Sequence, residues 1–124
     1  MDLFTESTIR ELSSNDFDNT TPYKLNKDGC CVVLFFAEWC GHCQHFKPEF
    51  KKFADKALFV DVYAVNVDTH ASLIEHIKQS KDCPLTLKGW PTVWFYKDGI
   101  PVQEYANERT SIQLLKEVMY FCKG

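Results

Sequence analysis

Residues 32–50 read "VVLFFAEWCGHCQHFKPEF". Their first part belongs to an apolar run from Cys30 to Phe36, seven residues long, the pattern of a strand buried on both faces. From Cys40 the period changes. Phe46, Phe50, Phe53, Ala54 and Ala57 fall at i, i+4, i+7, i+8 and i+11, one face of a helix. Pro48 lies inside that helix and should kink it about two turns in. Cys40-Gly41-His42-Cys43 therefore stands where a buried strand turns into a helix. Two cysteines at this spacing can form a disulfide, supply half a metal site, or be bystanders.

On the N-terminal side, "TIREL" (8–12) fits a short strand, "SSNDFDNT" (13–20) a cap-rich short helix, and "TTPYKLNKDG" (20–29) a turn closed by Asp28-Gly29. On the C-terminal side, "LFVDVYAVNVD" (58–68) alternates and is rich in β-branched residues, as a strand does. Residues 69–80 fit a helix with Leu73, Ile74 and Ile77 on one side. A loop, "KDCPLTLKG" (81–89), follows. "PTVWFY" and "IPVQEY" flank Lys97-Asp98-Gly99 and predict a hairpin. Thr110 with Gln113 suggests a capping box opening a last helix, whose stripe is Ile112, Leu115, Val118, Met119 and Cys122. The order β-α-β-α-β-α-β-β-α implies a central mixed sheet with helices on both faces.

The 124 residues suit a single domain, 1–124, and 45% hydrophobic with 25% charged residues is the balance of a globular chain. A net charge of −3 with no basic run argues against nucleic acid and anionic membranes. No apolar run approaches the ~20 residues of a membrane span. "MDLFTESTIRELSS" lacks the basic and apolar regions of a secretory leader, and "MYFCKG" lacks a retention signal. The missing leader points to the cytoplasm, the initial Met to a complete chain, and a monomer is expected. The sequon Asn19-Thr20-Thr21 is by itself a weak signal.

Cys40 is expected near the N-cap of its helix, where unpaired N–H groups and the helix dipole favour a thiolate, and His42 adds positive charge when protonated. Both effects lower the thiol pKa and make Cys40 the nucleophile. Cys43, one turn deeper, is placed to attack a mixed disulfide on Cys40 and release the partner, and Gly41 would let the turn be tight. Zinc is the competing reading, but structural zinc wants four ligands. Neither Cys30-Cys31 nor Cys83 or Cys122 forms a second Cys-x-x-Cys, and His42 and His45 are poorly placed for a cage. A Cys-x-x-Cys opening a helix inside a βαβ unit favours redox chemistry. Cys30 and Cys31 fit the core of the central strand, Cys122 packs on its helix's apolar stripe, and Cys83 lies in the loop.

"FFAEWCGHC" resembles the active-site segment of the thioredoxin superfamily, and the Gly-His pair resembles its protein disulfide isomerase branch. "ELSSNDFDNT", "VNVDT", "GWPTVWFYKDG" and "YANERT" are similar to further segments of those domains, so the likeness covers nearly the whole chain. It implies a thioredoxin fold and a thiol–disulfide oxidoreductase that exchanges disulfides with protein substrates through a Cys40–Cys43 redox disulfide. It further implies a cis Pro91 opposite the cysteines and a Trp90 backbone that pairs with an extended substrate. Trp39 joins Trp90 and Pro91 in binding substrate, and Arg109 approaches the active site to stabilise the Cys43 thiolate. No metal and no organic cofactor is implied, because the thiols carry the electrons; a reductase or oxidase would serve as electron partner.

Departures from the family pattern are equally specific. Six residues before the first cysteine the family usually keeps a buried acid that shuttles the Cys43 proton, often paired with a lysine; here those positions are Leu34 and Asn66. The resolving step should be slower. Asn107 replaces a usual glycine, and the segment 68–91 is longer by several residues. His42 should stabilise the dithiol and favour oxidation or isomerisation, whereas the missing leader points to a reducing cytoplasm, so an oxidising compartment or a virion stays open beside it. A non-catalytic client-binding module, or virion-type component, that keeps the fold is the alternative.

Overall fold

The computed structural model describes residues 7–123. Residues 1–6 and 124, the ends of the expected 1–124 unit and the start of the stretch read for a leader, lie outside the described residues. Nine elements follow in the expected order: β1 (Arg10–Glu11), a 3-10 turn (Ser14–Asp16), β2 (Cys30–Phe36), α1 (Gly41–Lys56), β3 (Asp61–Asn66), α2 (Ala71–Gln79), β4 (Thr92–Lys97), β5 (Ile100–Glu104) and α3 (Ser111–Lys123). The five strands form one sheet in the order β1-β3-β2-β4-β5. β2 pairs parallel with β3 and antiparallel with β4, so it is central, and Cys31–Phe36 are all buried. Helices cover both faces.

The hairpin turn needs left-handed backbone at two residues, Asp98 (φ 49°) and Gly99 (φ 85°). A side chain at Gly99 would also collide with the Leu25 carbonyl. β5 is an edge strand, and this is why it tolerates Pro101. On α1, Phe46, Phe50 and Phe53 stack successively at 5.5 and 5.7 Å between ring centres and anchor the helix that carries the cysteines.

Several expectations are corrected. The first strand shrinks to two residues, and the first helix is one 3-10 turn, held by a hydrogen bond from Ser13 N–H to the Asp16 carboxylate (2.9 Å). Leu58 and Phe59 stay outside β3, exposed. The inward face of α3 is Ser111, Leu114 and Val118, while Ile112 is 77% exposed and Met119 is also exposed. Apolar residues surround most of this helix, so periodicity could not choose the face. Phe121 packing on Phe95 at 5.3 Å does. Cys30 and Cys122 are not separate packed thiols. They form a disulfide, Cα atoms 5.8 Å apart, joining the start of β2 to the end of α3.

Candidate active site

β2 runs out at Phe36, and Cys40 N–H donates to the Ala37 carbonyl (3.2 Å) in the turn that swings the chain into α1. Cys40 is the N-cap of that helix. Its sulfur accepts a hydrogen bond from Cys43 N–H (3.3 Å), and a thiol thus occupies the place that a serine or aspartate usually fills. On its other side the Cys40 thiol donates to the Trp90 carbonyl (3.3 Å). The Trp90–Pro91 peptide bond is cis and opens directly into β4. Fifty positions apart in the chain, the cysteine turn and the proline loop are therefore one site.

Both cysteines are free thiols, 7% (Cys40) and 3% (Cys43) exposed. Their environments push them apart. For Cys40, burial is the largest influence and opposes ionisation. It is outweighed by hydrogen bonds from the Cys43 thiol and from the Cys43 and His42 backbone N–H groups, with the Arg109 charge, so the pKa falls below its ordinary 9.0. For Cys43, burial, the hydrogen bond with Cys40 and the charge there push the thiol up to about 12, against the Ala37 N–H and Arg109. The Cys40 sulfur thus gives up its proton more readily than an ordinary cysteine, and Cys43, one turn deeper, less readily.

The other expected residues gather around this pair. Trp39 is 71% exposed beside the cysteines, and Trp90 and Pro91 are half-buried. Arg109, exposed in the loop before α3, lines with Pro91, Trp90, Thr86, Lys88 and Glu104 an open cleft of about 340 Å³. His42 is exposed and acts on Cys40 through its backbone N–H. Gly41 is not needed for a tight turn: its φ is unexceptional, and an added Cβ would meet nothing within 4 Å. Leu34 is buried at 2% exposure, and Asn66 spends its side-chain oxygen on the backbone N–H groups of Asp68 (3.0 Å) and Thr69 (3.1 Å). No acid–lysine pair has been rebuilt from these positions. Among the described residues no three His, Cys, Asp or Glu side chains are grouped to hold a metal ion.

The thioredoxin family model matches residues 8–119. The chain belongs to the thioredoxin family. Over 111 residues it is 34% identical to a protein disulfide-isomerase A6 homolog of Drosophila melanogaster, covering 86% of this chain and 23% of that protein. Over 67 residues it is 46% identical to mouse protein disulfide-isomerase A6, covering 49% of this chain and 15% of that protein. The first thioredoxin domain of mouse protein disulfide-isomerase A4 superposes with a TM-score of 0.69 at 25% identity over 94% of this chain and 77% of that one. The Trx4 domain of ERdj5 does so with 0.69 at 21% over 93% and 95%. The chain spans about a quarter or less of the curated relatives it matches. It is a thioredoxin domain similar to those of the protein disulfide isomerases.

Some groups at this thioredoxin site carried no signal in the sequence. The Ala37 N–H faces Cys43 only because the chain turns there. Lys78, from α2, lies over the Trp90 ring at 6.0 Å. The long loop before Pro91 is fastened by Thr86, whose hydroxyl donates to Glu104 (3.0 Å) and whose carbonyl accepts from the Trp94 indole (3.2 Å). Its length was visible, but its anchors were not.

Proposed function

We propose that the chain is a thiol–disulfide oxidoreductase of the protein disulfide isomerase type, acting on protein thiols and disulfides through Cys40 and Cys43 as one domain. The observation that carries this reading is the split between the two thiols: one lowered at a helix N-cap beside a half-open cleft, the other raised one turn deeper. The Cys40 thiolate attacks a substrate disulfide, forms a mixed disulfide and releases one substrate thiolate. With the Cys40 charge gone, Cys43 ionises and attacks the Cys40 sulfur. The Cys40–Cys43 disulfide forms and the second substrate thiol leaves, so two electrons pass from chain to substrate. Run backwards, the same steps oxidise a substrate dithiol.

The hydrogen bonds that lower Cys40 stabilise the dithiol and favour the oxidising or isomerising direction. The Cys30–Cys122 disulfide fits an oxidising workplace. Cys40→Ser should abolish disulfide exchange, and Cys43→Ser should accumulate mixed disulfides with client proteins. Full exchange activity in Cys40→Ser would overturn the assignment. The buried apolar Leu34 supports the rival reading, a client-binding module without turnover; client binding by a wild type that never exchanges disulfides would select it.

A further inference from the structure

Arg109 shares a cleft with Trp90, whose carbonyl accepts from the Cys40 thiol, and its charge favours ionisation of both sulfurs, yet among the described residues no hydrogen bond or ion pair of its own aims its guanidinium, and the side chain is exposed. Its direction must come from the backbone that carries it. That backbone is held on both sides. Before Arg109, the Tyr105 N–H donates to the Val93 carbonyl (2.8 Å) and the Tyr105 hydroxyl donates to the Glu108 carbonyl. After it, the Ser111 N–H donates to the Glu49 carboxylate (2.9 Å).

Ser111 is the first residue of α3, where backbone N–H groups have no partner inside the helix. Thr110 satisfies the Gln113 N–H with its hydroxyl (3.2 Å), but Ser111 is served from another helix. Glu49 belongs to α1. Its second carboxylate oxygen meets Lys52, 3.2 Å away on the same helix, which fixes its orientation. A carboxylate at a helix N-terminus is favoured by the aligned peptide dipoles as well as by the hydrogen bond itself. The consequence is geometric. α1 presents Cys40 at its first turn and, nine positions on, grips the residue two after Arg109. One helix, stiffened by the stack of Phe46, Phe50 and Phe53, sets both the attacking sulfur and the root of the cation that faces it.

We infer that Glu49 is a positioning residue for the thiol chemistry: by capping Ser111 from α1 it holds the Arg109 loop in register with Cys40. The inference rests on the functional reading above, in which Cys40 is the attacking group. Glu49 touches neither sulfur and acts only through Arg109.

The test is the pH dependence of Cys40 alkylation by iodoacetamide, read by peptide mass, in wild type, Glu49→Ala, Glu49→Gln, Arg109→Ala and the Glu49→Ala/Arg109→Ala double variant. Circular dichroism confirms that each is folded. Glu49→Ala should move the Cys40 midpoint upward by about half a pH unit, an alkylation rate about threefold lower below the midpoint. Glu49→Gln, whose amide oxygen still accepts from Ser111, should recover the wild-type profile. In the Arg109→Ala background, Glu49→Ala should add nothing, because the group it positions is gone. An unmoved midpoint in Glu49→Ala overturns the inference, and so does the same shift with and without Arg109, which would make Glu49 merely structural. Exchange of wild-type Cys40 with glutathione disulfide is followed in parallel. Its absence overturns the functional reading alone, since the alkylation profiles report on the thiol without requiring exchange.

Discussion

Cys30, the first residue of β2, is bonded to Cys122 in the last turn of α3, their Cα atoms 5.8 Å apart although they stand 92 positions apart in the chain. The bond closes most of the chain into one loop. In the chain-entropy account, closing a loop of that length removes conformations chiefly from the unfolded state and stabilises by about 4–5 kcal/mol; measured losses of native disulfides run about 2–5 kcal/mol. The Cys30→Ala/Cys122→Ala variant should therefore keep the fold, since α3 still packs through Leu114 and Val118, but melt on the order of 10 °C lower. Thermal unfolding followed by circular dichroism checks this. A melting point within about 2 °C of wild type would mean that the bond adds nothing to the packing.

That disulfide also marks where the sequence stops being informative. Cys30 sits in an apolar run and Cys122 on an apolar helix, and both positions are consistent with buried thiols; only the folding of α3 back across the sheet brings them together. By contrast, Cys40 and Cys43 were legible because their chemistry is local: strand, turn and helix N-terminus are contiguous in the chain. Pro91 and Arg109 were reached through resemblance, since nothing in their own neighbourhoods says they face residues some fifty and seventy positions earlier. Glu49 lay on the visible helix, but its partner, one backbone N–H on α3, has no sequence signature. The face of α3 failed for a different reason: apolar side chains nearly encircle it.

The core that supports α1 makes a second test. Phe50 is fully buried between Phe46 and Phe53. Phe50→Ala should cost about 3–5 kcal/mol, the transfer of the ring plus the cavity it leaves. Urea unfolding would show it as a lower midpoint. A loss under about 1 kcal/mol would mean that the neighbouring rings collapse into the space and that α1 is less rigidly seated than its packing indicates.

The split thiols give stability a pH dependence with two opposite limbs. Cys40 has its folded pKa below 9.0, so between that folded value and 9.0 the unfolded chain binds more protons than the native one, and stability rises with pH. Cys43 is raised to about 12 and the buried Cys31 to about 11; between 9.0 and those values the native chain binds more protons, and stability falls. Seen from low pH, the Cys40 contribution is present above 9.0 and is lost as pH drops through its folded pKa. Urea midpoints across pH 6–10, with Cys40 and Cys43 kept as thiols, should pass through a maximum close to 9. Cys40→Ser should lose the rising limb and keep the falling one. A rising limb that survives Cys40→Ser would assign it to another group.

Leu34 gives the last test. It is buried on β2, six residues ahead of Cys40, where the resemblance leads one to expect an acid. Burial, the largest influence holding the Cys43 proton, persists after the Cys40 charge is gone, so loss of that proton is the expected slow part of the resolving step unless a base takes it. Burial in this strand would raise the pKa of a new carboxyl toward neutrality, near the value at which a general base works best at pH 7. Leu34→Glu should therefore speed decay of the Cys40 mixed disulfide by at least about tenfold. It should also destabilise the fold by about 2–4 kcal/mol, from lost packing and a buried carboxyl without a partner. Stopped-flow release of a fluorescent thiol from the mixed disulfide measures the first effect and urea unfolding the second. If the variant is folded and less stable but decays at the wild-type rate, proton removal does not limit resolution. The backbone N–H of Ala37 and the Arg109 charge, which oppose the rise in the Cys43 pKa, would then suffice to release its proton once Cys40 is bonded.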